Sequence, residues 1–187
     1  VATTYNNLGE AYRSKGEYEK AIELYNKALK IFIAKLGKDY PNVAATYNNL
    51  GLAYNKKGEY EKAIEFYDKA LKILRDKMGK DHPHVATTYN NLGTAYYSKS
   101  EYEEAIEFYN KALKIHIAKL GKDNPDVANT YNNLGAAYRN KGEYGKAIKF
   151  YNKALKIDLA KLGPDHPNTK IVQESLNSVK KKTEHAN

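Results

Sequence analysis

Few side chains in this sequence are of the types that perform catalysis or hold a metal. The chain has five histidines and no cysteine, which excludes disulfides, thiolate metal sites and cysteine nucleophiles. His82 and His84 could chelate a metal in principle, but no third ligand is indicated. We therefore interpret this segment as a surface corner and expect no metal or other cofactor. No phosphate-binding loop or nucleophile elbow occurs, and the sequence predicts a protein that is not an enzyme.

Asparagine is the polar residue with the most regular spacing. Four asparagines recur every 42 residues, namely Asn6, Asn48, Asn90 and Asn132. Each amide offers a donor and an acceptor, so a row of amides can pair with the backbone of an extended peptide of any sequence. The alternative is that these side chains cap or bridge neighbouring helices. The residue after each of these is also asparagine, and this second set is expected nearer the packed side of the helix: Asn7, Asn49, Asn91 and Asn133.

The same period of 42 residues governs the whole chain, as Pro41, Pro83, Pro125 and Pro167 show. It divides the 187 residues into four units, 1–42, 43–84, 85–126 and 127–168, followed by 169–187. A residue's position within its unit is called its column below. Most columns carry the same residue in all four units, and tyrosine, which occurs 18 times, occupies several of them.

Two amphipathic helices are predicted in each unit, because apolar residues recur at steps of three and four. Helix A has apolar residues at columns 2, 5, 8 and 12 and ends near column 16. Glycine, which can adopt the left-handed conformation there, occupies that column except at Ser100. Helix B extends from column 18 to column 36 and ends at a glycine, before a proline corner that keeps it from continuing.

These motifs resemble the tetratricopeptide repeat over residues 1–168. Helix A carries Y-x-x-L-G-x-x-Y and helix B carries A-x-x-x-Y-x-x-A. The family's ordinary unit has about 34 residues, and the period of 42 with LGPDHPN at 162–168 is similar to kinesin light chain repeats. The resemblance implies an all-α, right-handed α-solenoid of four helix pairs that serves as a non-enzymatic protein-interaction scaffold.

The remainder, 169–187, is expected to form a C-terminal capping helix and tail over the last helix B. Its apolar spacing places Ile171, Val172, Leu176 and Val179 on one face. Lysines follow at the end of this segment, where cations favour the end of a helix.

Columns 3, 6, 10 and 13 lie on one stripe of helix A, and the resemblance implies that A helices line a concave groove. Besides the column 6 asparagines, the candidate peptide-binding residues are at columns 13 and 14: Arg13, Asn55, Lys56, Tyr97, Arg139 and Asn140. The cations Arg13, Lys56 and Arg139 favour an acidic peptide. The basic positions of the carboxylate clamp found in chaperone-binding relatives hold asparagine or threonine here, which argues against that mode of binding.

A second hypothesis is a structural spacer or self-assembling array that stacks end to end. The first A helix has no preceding cap, so Ala2, Tyr5, Ala11 and Tyr12 are expected to be uncovered and to favour association. A third, which only the family resemblance suggests, is a regulatory segment of a larger multidomain enzyme or signalling protein. Because Val1 is not an initiator methionine, the chain is expected to be a segment of something longer, or a processed or engineered fragment. Nucleic acid is disfavoured as a partner because no reader motif occurs. Neither a membrane span nor a signal peptide is visible, and cytoplasmic localisation is expected.

Overall fold

The computed structural model describes residues 1–184, within which all regular structure is helical. The chain forms two compact units, Val1–Lys99 and the segment from Ser100 onward. From here on, the first and second unit are these two, and the 42-residue units of the sequence are called repeats. The first unit contains α1 (Ala2–Ser14), α2 (Tyr18–Leu36), α3 (Pro41–Lys57), α4 (Tyr60–Met78) and α5 (Pro83–Ser98). The second contains α6 (Tyr102–Leu120), α7 (Pro125–Asn140), α8 (Tyr144–Lys161) and α9 (Pro167–Glu184). The end of the tail, residues 185–187, lies outside the described residues.

Helices α1, α3 and α7 each pack on the helix B that follows them through a glycine and a tyrosine. The column 25 tyrosines are at most 2% exposed, and the rings of Tyr25, Tyr67 and Tyr151 lie against Gly9, Gly51 and Gly135. A Cβ atom at Gly9 would lie 2.7 Å from Tyr25 Cε1, and one at Gly135 would lie 2.7 Å from Tyr151 Cδ1. Because no side chain other than hydrogen fits, glycine sets the short distance between the two helices. These tyrosines are packing residues, as the sequence predicts.

The turn between helix A and helix B uses left-handed backbone at column 16. Gly16, Gly58 and Gly142 have φ values of 80°, 86° and 82°, which glycine adopts without steric cost. Ser100 adopts the same conformation with φ of 65°, so the expectation that this turn tolerates a residue other than glycine is confirmed. Column 37 glycines cap α2, α4 and α6, and Gly37 has φ of 91°, whereas α8 ends one residue earlier with Leu162 as its C-cap.

Helices α3, α5, α7 and α9 begin at the corner proline, two residues before column 1. Proline suits this first position because its φ is already helical and its missing N–H is not needed. The residue before it caps the helix in several cases. His82 Nδ1 accepts from the His84 N–H at 3.2 Å, and Asn124 Oδ1 accepts from the Asp126 N–H at 2.8 Å. The corner therefore ends one helix and starts the next.

The opposite side of each helix A packs on the preceding helix B. The residues in this contact occupy columns 1, 4, 8 and 11, and we call them the junction face. In α3, α5 and α7 every junction-face residue is fully buried: Val43, Thr46, Leu50 and Ala53; Val85, Thr88, Leu92 and Ala95; Val127, Thr130, Leu134 and Ala137. Leu50 and Ala53, for example, share a core cluster with Ala21 and Tyr25 of α2.

The expected capping helix α9 is an additional helix A without a helix B of its own. It packs on α8 and buries Thr169, Val172, Leu176 and Val179, which occupy columns 1, 4, 8 and 11 if the period is continued. Ile171, which we expected on the same face, is 53% exposed. That expectation was wrong because the contact follows the junction-face register of the repeats.

In α1 the junction face is exposed. Val1 is 84% exposed and Leu8 45% exposed, and Thr4 and Ala11 are exposed as well. The expectation that Ala2 is uncovered was wrong. Ala2 is buried, and the column 5 and column 12 tyrosines are half-buried, because these columns face toward α2. The uncovered surface therefore consists of columns 1, 4, 8 and 11.

Two helical glycines of the second unit allow a matched test of the packing. Gly135→Ala should destabilise the fold by roughly 1–3 kcal/mol, since the added methyl overlaps the Tyr151 ring. Gly145→Ala, with no atom within 4 Å of the added Cβ, should stabilise it by about 0.5 kcal/mol through helix propensity. Urea unfolding followed by circular dichroism measures both changes. Equal stability of the two variants would contradict the packing assignment.

Candidate peptide-binding site

A groove with a volume of about 450 Å³ opens on the first unit. It lies along α1, α3 and α5, and the C-terminal halves of α2 and α4 form its apolar side. The lining residues are Thr3, Asn6, Ala45, Asn48, Asn49, Leu52, Thr87 and Asn91 on the faces of the A helices, Phe32, Leu74 and Met78 on the B helices, and Pro41, Asn42 and His84 at helix starts.

Amide side chains form the polar part of the groove. Asn49 Nδ2 donates to Asn6 Oδ1 at 3.4 Å, which joins α1 to α3. Asn48 Nδ2 donates to Thr88 Oγ1 at 3.1 Å, and the Thr88 hydroxyl donates to the carbonyl oxygen four residues earlier at 2.9 Å. Asn91 has no side-chain hydrogen bond to any of residues 1–184 and borders the groove. Its donor and acceptor are therefore available to a ligand.

Asn48 is used mainly as a bridge between helices. Its amide nitrogen is bonded to Thr88, while its Oδ1 is shielded from solvent and has no hydrogen-bond partner among the described residues. A buried acceptor without a donor destabilises the fold. This geometry matches the alternative stated for column 6, in which the asparagine links neighbouring helices.

The apolar part of the groove is formed by Phe32, Leu74, Leu52 and Met78. Phe32 and Leu74 occupy column 32 and are buried, whereas Met78 is partly exposed at the edge. Apolar surface next to unpaired amides is typical of sites that hold one apolar side chain and fix the backbone beside it. The arrangement can accommodate a short extended segment with an apolar residue.

No aspartate, glutamate, lysine or arginine is among the lining residues. Arg13 forms an ion pair with Glu10 at 2.6 Å on α1, so much of its charge is already compensated. Lys56 is exposed and follows Leu52 by one helical turn, which puts it just beyond the lining residues. Of the two candidate cations in the first unit, Arg13 is therefore paired within α1, and Lys56 has no ion pair among the described residues.

The other predicted site residues lie apart from the groove. Only Asn6 and Asn48 of the ten candidates line it. The remaining candidates of the first unit are not lining residues: Arg13, Asn55, Lys56, Asn90 and Tyr97. Asn132, Arg139 and Asn140 lie on α7 in the second unit, where Arg139 Nε donates to Asn140 Oδ1 at 3.3 Å.

Sequence reasoning placed the column 7 asparagines too close to the packed side and omitted the apolar residues. Asn49 and Asn91 border the groove, as do Phe32, Leu74 and Met78. A signal for the apolar residues exists at column 32, where the first two 42-residue repeats have phenylalanine and leucine but the last two have histidine and aspartate. The apolar part of the groove is therefore specific to the first two repeats and is not shared by all four.

The buried ionisable residues at column 32 are structural. His116 is 3% exposed, and its Nδ1 lies 3.3 Å from Thr130 Oγ1. Burial lowers the pKa of His116, although Asp126 acts in the opposite direction. Burial raises the pKa of Asp158, which His166 partly opposes. Among residues 1–184, no group of three histidine, cysteine, aspartate or glutamate side chains could hold a metal ion.

The corner histidines have a structural explanation in helix capping. His82 caps α5 as described above, and His166 Nδ1 accepts from the Asn168 N–H at 3.2 Å. The rings of His82 and His84 lie 5.0 Å apart.

No helix among the described residues is long and apolar enough to cross a bilayer.

Helix pairs that recur every 42 residues, each covering the junction face of the next, define a helical repeat protein. The family model of the tetratricopeptide repeat matches residues 1–76, 47–118, 84–160 and 126–176. The chain belongs to the tetratricopeptide repeat family, whose members are generally non-catalytic scaffolds for protein–protein interaction. Its fold is an all-α repeat solenoid of that type.

Solved structures agree with this assignment. A candidate kinesin light chain of Podosopora anserina with nearly identical TPR-like repeats is similar with a TM-score of 0.81 and 21% identity, over 98% of this chain and 87% of that one. A variant of that protein with one substitution matches equally, over 86% of that chain. BtubC (BKLC) from P. vanneervenii has a TM-score of 0.83 and 29% identity, over 95% of this chain and 70% of that one. No curated protein gives a significant match.

Proposed function

We propose that the first unit captures an extended peptide in its groove and that the chain acts as a non-catalytic interaction scaffold. The observation that carries the proposal is the combination of apolar surface at Leu52 and Met78 with an Asn91 amide that has no partner in residues 1–184. An apolar side chain of the ligand would cover Leu52 and Met78, and the backbone of the ligand would pair with the Asn91 amide. Cytoplasmic localisation remains part of the proposal and is supported by the cysteine-free sequence.

The ligand is proposed to carry acidic residues beside its apolar residue. The groove lining itself has no lysine or arginine, so an acidic side chain would not be attracted to its centre. Lys56 lies one helical turn beyond Leu52, is exposed, and has no ion-pair partner among the described residues. An acidic flank at that end of the peptide would therefore meet an uncompensated cation.

Replacing Asn91 by alanine should weaken peptide binding without unfolding the protein. The expected loss is about 1 kcal/mol for one hydrogen bond, or roughly fivefold in Kd. A peptide array of extended sequences with one central apolar residue supplies the ligand, and fluorescence polarisation measures its affinity. Asn133→Ala, at the same column in the second unit, is the matched control. Equal affinities of the two variants would remove the Asn91 amide from the site.

Lys56→Glu should weaken binding of a peptide with an acidic flank, and added salt should do the same to the unmodified protein. Both effects follow from a single exposed charge, so a change of about two- to fivefold is expected. Arg13→Glu is the comparison, because Glu10 already compensates Arg13. Titrations at two salt concentrations provide the measurement. A salt-independent affinity would leave the peptide proposal in place but remove the preference for acidic residues.

A second candidate function is end-to-end stacking of repeats, which the exposed junction face of α1 favours. Contiguous apolar surface of this kind is typical of contact sites. At the other end of the chain, α9 covers α8 with Val172, Leu176 and Val179. Among the described residues, α8 is therefore covered by α9, and no residue covers the junction face of α1.

Deleting residues 169–187 should increase self-association. The deletion uncovers Ala147, Tyr151 and Ala154 of α8, which α9 buries, and leaves a surface that can meet the junction face of another copy. Such a head-to-tail contact repeats without closing and produces chains of molecules. Sedimentation velocity over a range of concentrations distinguishes the outcomes. A truncated protein that remains monomeric would argue against stacking.

A further inference from the structure

We propose that the exposed face of α8 is a docking surface for an acidic α-helix of a partner protein. Four lysines form this surface, and we call them the lysine stripe: Lys146, Lys149, Lys153 and Lys156. They belong to the second unit and share no position with the groove of the first unit.

The four lysines of the stripe lie on one side of α8. Their spacing of three, four and three residues keeps them within about 80° of one another around the helix axis, over a length of about 15 Å. All four residues are exposed. The only acidic residue of α8 is Asp158, which is 2% exposed. No carboxylate of α8 therefore accompanies the lysines at the surface.

The other B helices have a glutamate within the same stripe. At column 23 each of α2, α4 and α6 has a glutamate, which pairs with the lysine at column 27 one turn later. The pairs are Lys27 with Glu23, Lys69 with Glu65 and Lys111 with Glu107, with Nζ to Oε1 distances of 2.5–2.6 Å. In α8, Lys149 stands at column 23. Lys153 therefore lacks the carboxylate that the other column 27 lysines have.

Lysine in place of this glutamate is unfavourable for α8 alone. Lys149 and Lys153 are four residues apart, and like charges at this spacing on a helix repel each other. Lys146 is paired with Glu143, whereas Lys149 and Lys156 have no ion pair with any of residues 1–184. The stripe thus presents positive charge that carboxylates of a partner would compensate.

Aromatic rings of the helix pair hold two of these ammonium groups in place. Lys153 Nζ lies 5.1 Å from the centroid of the Tyr131 ring and 5.6 Å from that of Phe150. Lys146 Nζ lies 5.1 Å from the centroid of Tyr138. Both tyrosines belong to α7, which packs on α8. Because cation–π contacts restrain these side chains, they lose less conformational freedom when a partner binds.

An acidic helix fits the stripe better than a nucleic acid does. Carboxylates spaced three, four and three residues apart on a partner helix have the same rise and angular spread as the lysines, so each lysine can meet one carboxylate. A nucleic acid is a longer polyanion. The same columns of α6 hold Glu104 and Glu107, which are exposed and would repel its phosphates. An anionic membrane surface extends beyond 15 Å as well and meets the same repulsion.

The direct test uses two fluorescent alanine-rich helical peptides of identical composition. One carries four glutamates on a single face, spaced three, four and three residues apart, and the other distributes them around the helix. The full chain is the receptor, and fluorescence polarisation measures affinity. We expect the single-faced peptide to bind at least about fivefold more tightly, because several exposed ion pairs form together. Equal affinities of two peptides with equal helix content would overturn the proposal.

Variants of the stripe identify where the peptide binds. Lys149→Glu restores the column 23 glutamate of the other repeats and should weaken binding of the single-faced peptide at least about tenfold, with an unchanged helix content by circular dichroism. Lys156→Glu should also weaken binding. Lys114→Glu, the same change at the same column of α6, is the matched control and should alter affinity by less than about twofold. Equal losses in the last two variants would overturn the proposal, since net charge alone would then explain binding.

Two further probes test the choice of partner, namely a single-stranded RNA oligonucleotide and vesicles that contain phosphatidylserine. Tighter binding of either probe than of the single-faced peptide, lost in Lys149→Glu, would overturn the proposal because a phosphate surface would then be the occupant. Asn91→Ala, which alters the groove of the first unit, should leave binding of the single-faced peptide unchanged. Loss of binding in that variant would place the peptide in the groove and would also overturn the proposal.

Discussion

The constraint on which this fold depends is that one helix pair cannot bury its own apolar surface. Helices α3 and α7 each have two packed sides. One side presents glycine to the tyrosine of its own helix B, as Gly135 does to Tyr151, and the other presents columns 1, 4, 8 and 11 to the preceding helix B. Stability of each pair therefore depends on its neighbour, as in other repeat arrays, and the two ends of the array require separate solutions.

The structure shows how one of these surfaces is covered. At the C-terminal side, α9 reproduces only the junction face of a helix A and is polar elsewhere, so it covers α8 without offering a surface for a further helix B. Asn177 takes the column at which repeat helices have the glycine that receives a tyrosine. At α1 no such cover exists among the described residues, and Leu8 is exposed where Leu50 and Leu92 are fully buried. Identical sequence columns thus have opposite environments according to what precedes them.

The groove follows from the same packing. Once α2 and α4 occupy two sides of α3, the remaining stripe is free to carry polar residues. In the first unit this stripe combines with the ends of α2 and α4, so that amides and apolar side chains line one groove. Part of the polar stripe also stabilises the array, because Asn48 bonds to Thr88 and Asn49 to Asn6. A residue conspicuous in the repeat can therefore serve both the scaffold and a ligand.

The sequence by itself determined the repeat length, the helix pairs, the glycine turns and the capping helix, because these features depend on periodicity and on residue types that recur from repeat to repeat. Only the tertiary structure decided which asparagines line the groove, since Asn48 and Asn49 are adjacent in sequence and their roles depend on the neighbouring helix. It also decided that columns 1, 4, 8 and 11 form the junction face. These are relations between side chains on different helices, and a single-helix pattern does not specify them, whereas the pair of Arg13 with Glu10 is a local contact three residues apart that the sequence itself indicates.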